Sequence, residues 1–175
     1  MSDFKRRNRS SIRLPGYDYT QPGTYFLTLC TQNRECVFDE VREGEMHLNP
    51  AGEIVKEEWL NTARVRPHIT LDAFVVTPNH IHGIIMMGKP LVGATRRVAP
   101  TRGPVSGSVG AIIGQFKSIT TKRLSALKNP FEGAIWQRNY YEHIVRHEDA
   151  LRRIRGYIFL NPQKWKKDRE NPSFF

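Results

Sequence analysis

The sequence predicts an α+β domain in which an antiparallel sheet carries helices mainly on one face. Three observations point there. Stretches rich in β-branched and aromatic residues alternate with stretches of helical period. Several of the extended stretches adjoin one another across short turns, as hairpins do. The alternation is too irregular for a doubly wound parallel sheet, and 175 residues suit one domain whose core needs no disulfide or metal staple.

Residues 1–22 are basic and polar, with Pro15, Gly16 and Pro22 as punctuation, and read as an N-terminal arm laid over a domain that spans 23–165. The first strand is TYFLTLCT, 24–31. A hairpin is expected through Val37, Phe38 and GEMHL. In LNPAGEIVKEEWLNTAR, Asn49 is the N-cap, Pro50 the first helical residue, and Ile54, Val55, Glu58 and Trp59 fall at helical spacing. HITLDAFVVTPNHIHGIIMM reads as two strands with a turn at Thr77, Pro78 and Asn79. Residues 88–107 have no period and many Gly, Pro and Arg, which predicts a mobile basic loop. A Ser-capped second helix over 108–127 places Ile112, Ile113, Phe116, Ile119, Thr120 and Leu124 on one face. AIWQRNYYEHIV, 134–145, reads as extended. HEDALRRIRGYIFLNP is a third helix, acidic at its start and stopped before Pro162, and residues 166–175 form a tail. The resulting expectation is a ferredoxin-like antiparallel sheet.

Lys and Arg number 27 against 17 Asp and Glu, a formal net charge of +10. The excess is concentrated in FKRRNRSSIR, TRRVAPTR and QKWKKDR, so nucleic acid is the favoured partner, with a membrane surface second and a merely solvated basic face as the alternative to both. No apolar stretch has the length of a signal peptide or membrane span, and Cys30 and Cys36 are too few for a disulfide framework. A reducing cytoplasm, near the nucleoid, fits best, with no membrane partner.

His80 and His82 interrupt an apolar run, VVTPNHIHGIIMM. On a strand they point to one face about 6 to 7 Å apart, close enough to converge on a small cation, while Ile81 turns to the core. The alternative is a pair of histidines satisfied by backbone carbonyls. Tyr157 and Asn161 lie one turn apart at the margin of the Ala150, Leu151, Ile154 and Ile158 stripe. They border a cleft, or else Tyr157 is an ordinary amphipathic tyrosine and Asn161 a helix-ending residue. His143, His147, His68 and Glu142 are weaker candidates.

Together, SIRLPGYDYTQPGTYFLTLCTQNRECVF, LDAFVVTPNHIHGII, GSVGAIIGQFKS and IWQRNYYEHIVRHEDALRRIRGYIFLNP resemble the single-tyrosine transposases of insertion sequences, closest to the repeat-associated tyrosine transposase branch. The resemblance runs along nearly the whole chain. It implies a His-hydrophobic-His site in which His80 and His82 are metal ligands, Tyr157 is the nucleophile, and Asn161 stands where insertion-sequence relatives carry a polar third ligand. It implies Mg2+ or Mn2+ as cofactor, although two imidazoles alone suggest a transition metal. The implied reaction is nicking and joining of single-stranded, hairpin-forming DNA through a 5′-phosphotyrosine, by a monomer or a homodimer. Phosphate and base contacts are expected from Arg6, Arg7, Arg9 and Arg13 of the arm, Lys117 and Lys122 of the second helix, and Trp136, Arg138, Tyr140 and Tyr141, with the core as the alternative place for Trp136. The rivals are a non-catalytic hairpin DNA or RNA binder and a phosphodiesterase that uses the histidines to activate water.

Overall fold

The computed structural model describes Leu14 and residues 16–89, 104–127 and 133–174. Arg6, Arg7, Arg9, Arg13 and residues 90–103 of the basic loop lie outside the described residues. The elements run β1 (Gly23–Cys30), β2 (Asp39–Arg42), β3 (Glu45–Leu48), α1 (Pro50–Arg64), β4 (Ile69–Val76), β5 (His80–Met87), α2 (Val109–Leu124), β6 (Tyr141–Val145) and α3 (Glu148–Leu160).

Four strands form one sheet in the order β4-β5-β1-β6, and every neighbouring pair is antiparallel. With β2 and β3 set aside as a separate hairpin, the chain runs βαββαβ, the ferredoxin-like order. The main core lies between the sheet and the α1–α2 pair, where Tyr25, Leu27, Leu29, Ile81 and Ile85 meet Val55, Trp59, Ile112, Ile113 and Phe116. Helix α3 takes the opposite face, and Phe26 and Ile84 pack there on Leu151 and Ile158. Two of the three helices therefore share a face, as the sequence suggests, and the third has the site side to itself.

Local chemistry explains the boundaries. Asn49 accepts from Gly52 N at 2.9 Å through Oδ1, and Ser108 accepts from Ala111 N at 3.2 Å, so each caps its helix. In α2 the predicted face is buried except for Ile119, which sits at its margin 37 % exposed. Of residues 134–145 only Tyr141–Val145 joins the sheet; Trp136 makes an isolated bridge to Thr31, and Lys117 Nζ donates to the carbonyls of Gln137 and Asn139 at 2.8 and 3.1 Å. Those bonds hold the segment as a loop. Among the described residues no helix is long and apolar enough to cross a membrane.

Candidate active site

Strand alternation on β5 sends Ile81, Ile85 and Met87 to the α1–α2 core and leaves His80 and His82 on the α3 side. Gly83 has a separate purpose on the core face. A Cβ there would stand 2.3 Å from Trp59 Cζ2, so only glycine lets the indole approach the strand this closely. The β1–β5 register places Thr28 opposite His82 and Cys30 opposite His80.

The two imidazoles are 0 % and 3 % exposed, and each is tied at Nδ1. Asn79 Nδ2 donates to the carbonyls of Arg34 and Glu170 at 2.8 and 2.7 Å, which fixes the amide with Oδ1 toward His80 Nδ1 at 2.8 Å. An amide oxygen only accepts, so His80 Nδ1 carries the proton and its Nε2 a lone pair. That Nε2 faces His82 Nε2 at 2.9 Å, while His82 Nδ1 meets Thr28 Oγ1 at 2.8 Å. Two ring nitrogens this close require a proton or a cation between them.

Burial pushes the His80 pKa down to about 3, with the Arg34 charge adding to the effect. Burial also drives His82 well below the usual histidine range, reinforced by His80 and opposed by Asp168. Both rings are accordingly neutral at pH 7, the state in which imidazole ligates metals.

Helix α3 brings Tyr157 to the same point, its hydroxyl 3.0 Å from His82 Nε2 and its ring centroid 5.0 Å from the imidazole. The helix is held there by Ile158 and Leu151 beneath it and by Arg155, which pairs with Asp72 on β4 at 2.6 Å. Burial, and then the charge of Asp168, raise the Tyr157 pKa to about 12, so the phenol keeps its proton at neutral pH. Tyrosine and histidines come from one chain, and no second copy is needed to join them.

The expected third ligand is arranged differently. Asn161 is 2 % exposed; its Nδ2 donates to Asp168 Oδ2 at 2.6 Å, and its Oδ1 is buried without a hydrogen-bond partner. Asp168 was not among the residues the sequence suggested. Its carboxylate and the nitrogens of His80 and His82 have ligand atoms within 4.8 Å of one another. The 3-10 turn Pro162–Lys167 carries Asp168 back over the sheet, and its Trp165 ring stands 5.9 Å from His80. The last residues thus close the back of the site.

In front, a cleft of about 820 Å³ is lined by Phe26, His82, Tyr141, Tyr157, Lys164 and Arg169, among others. Of the predicted nucleic-acid contacts, Lys117, Arg138, Tyr140 and Tyr141 border this cleft and Lys122 does not. Trp136 corrects the expectation of base stacking: it is 6 % exposed, donates to Thr120 Oγ1 at 2.9 Å and packs between Phe38 and Phe116. Lys117 is spent on two carbonyls, and its pKa falls to about 8 through burial. Lys164, Lys167 and Arg169 line the cleft unpredicted, although the basic run that contains them is plain in the sequence. His143 and His147 are not in the cleft lining.

Two buried imidazoles presented by a ferredoxin-like sheet to a helix-borne tyrosine define the class: the chain has the fold of the REP-associated tyrosine transposases. A solved structure of a REP-associated tyrosine transposase bound to a REP hairpin superposes with a TM-score of 0.61 at 22 % identity, over 89 % of this chain and 74 % of that one. In sequence the chain is 24 % identical over 147 residues, 84 % of itself and 74 % of the relative, to a Haemophilus influenzae protein named "Putative REP-associated tyrosine transposase". It belongs to one family with a second Haemophilus influenzae protein, an uncharacterized one, 39 % identical over 167 residues and 92 % of each chain. No family model matches the chain.

Proposed function

We propose that the protein is a metal-dependent, single-tyrosine DNA strand transferase that nicks and rejoins single-stranded, hairpin-forming repeats in the cytoplasm. The observation that carries this reading is the meeting of Tyr157 Oη, His82 Nε2 and His80 Nε2 at 3.0 and 2.9 Å beside an open cleft. The donor set fits a divalent cation: two neutral imidazoles converge on one point near a buried carboxylate. Of the two family ions, Mn2+ suits nitrogen donors better than Mg2+ does. When bound, the cation would withdraw charge from a phosphate oxygen and favour the phenolate.

The chain's own residues do the rest. Asn79 and Thr28 orient the imidazoles, and burial keeps them uncharged. Tyr157 attacks phosphorus; the new bond joins its oxygen to the 5′ phosphate as the bond to the 3′ oxygen breaks. The phenol loses a proton and the leaving 3′ oxygen gains one, so the bond energy is retained in the phosphotyrosine for rejoining. Arg138, Lys164, Lys167 and Arg169 offer phosphate contacts along the cleft, and the half-exposed Tyr141 offers a stacking face.

The test uses labelled single-stranded hairpin oligonucleotides with Mn2+. Wild type should form a covalent adduct, and Tyr157→Phe should abolish it while hairpin binding persists. An adduct in the Tyr157→Phe protein would place the nucleophile elsewhere. Cleavage that survives without an adduct would make the protein a hydrolase, and wild-type binding with no cleavage would make it a binding module.

A further inference from the structure

Asp168 is a carboxylate in an unusual place. It is 8 % exposed, and among the described residues no Lys or Arg forms an ion pair with it. Its orientation is fixed by two N–H donors, since Glu170 N reaches Oδ1 at 2.7 Å and Asn161 Nδ2 reaches Oδ2 at 2.6 Å. A buried carboxylate without a countercharge is costly, and a divalent cation between it and two imidazoles removes the cost. Two hydrogen bonds hold the group in place and leave lone pairs free for such an ion.

We propose that Asp168 is the third protein ligand to the cation of His80 and His82, with Asn161 as the residue that positions it. The inference rests on the metal-dependent reading above and changes its ligand set. His82 and Asp168 both line the cleft, so an ion held by the two histidines and the carboxylate would be within reach of a phosphate bound there. Asn161 then acts as an outer partner that orients the ligand through Nδ2.

The assignment has a structural consequence. Asp168 belongs to the segment after α3, whereas His80 and His82 belong to the central sheet. A shared ion therefore staples the C-terminal segment across the sheet, adding to the bonds of Asn79 with Glu170 O and of Arg34 with Glu170 Oε2 at 2.9 Å. The segment carries Lys164, Lys166, Lys167 and Arg169 on its exposed side, and each is a tryptic site.

Mn2+ alone is the probe, titrated into the full chain and followed by electron paramagnetic resonance. Asn161→Ala should weaken binding by about 10-fold, within the 10- to 100-fold that loss of an orienting partner costs, and Asp168→Asn, which loses a ligand, by on the order of 100-fold or more. Mn2+ should slow tryptic cleavage in the 164–169 segment of wild type and leave that of Asp168→Asn unchanged. Asp168→Cys serves if the asparagine variant fails to fold: with Cd2+ it should gain a thiolate-to-metal absorption band absent from wild type. The assignment is overturned if Asp168→Asn binds Mn2+ like wild type while Asn161→Ala loses it, or if the cysteine variant shows no band. Wild-type protein that binds no Mn2+, or binds it equally after His80→Ala, would overturn the metal reading of the whole site as well.

Discussion

Asn79→Ala tests the claim that one buried amide sets the chemistry of the histidine pair. The side chain is fully buried and makes three hydrogen bonds, to His80 Nδ1 and to the carbonyls of Arg34 and Glu170. Truncation leaves the His80 N–H in a site that is 0 % exposed, and a buried donor without a partner costs about 1–3 kcal/mol. The two carbonyls are only partly buried and can recover water, so each contributes nearer 0.5–1 kcal/mol. The expected loss of stability is about 3 kcal/mol. Urea unfolding followed by circular dichroism should show a lower midpoint with an unchanged slope. Mn2+ affinity should fall by about 10- to 100-fold, because His80 is then free to take the other tautomer. A stability loss below about 1 kcal/mol, with metal affinity intact, would refute the reasoning.

Three further outcomes follow from the same structure. Gly83→Ala drives a Cβ to 2.3 Å from Trp59 Cζ2 and should cost at least about 1–3 kcal/mol in urea unfolding, with the indole fluorescence shifted as the ring moves. Lys117 has a folded pKa of about 8, below its unfolded value near 10.4, so the unfolded chain binds more protons between those limits and wild type should gain stability as pH rises from 8 to 10. Lys117→Met should lack that gain, and parallel curves for the two proteins would exclude the buried ammonium. Arg138→Ala should weaken hairpin binding uniformly across sequences and lower the slope of log affinity against log salt by about one, as expected for one lost phosphate contact. An unchanged slope would remove Arg138 from the interface.

Much of this architecture could be read locally. Asn49 and Ser108 announce their helices because a cap is a matter of a few consecutive residues. His80 and His82 announce a shared face because alternation on a strand needs no knowledge of its neighbours. Trp136 could not be decided that way: its aromatic and basic surroundings suit a base-stacking surface as well as the core, and the distant Thr120, which takes the indole proton, settles it as core. Asp168 was hidden for the same reason. Between Lys166, Lys167 and Arg169 it resembles one more solvated charge, and its role arises only where the turn after α3 folds back onto the sheet.

The pairing of β1 with β5 has a consequence beyond geometry. With Thr28 opposite His82 and Cys30 opposite His80, a slip of one residue along β5 would turn both imidazoles inward against Trp59 and swing Ile81 out toward Tyr157. A misthreaded chain would bury both imidazoles in the apolar core and part them from Tyr157. The pairing of two strands thereby decides which face of the sheet displays the histidine pair.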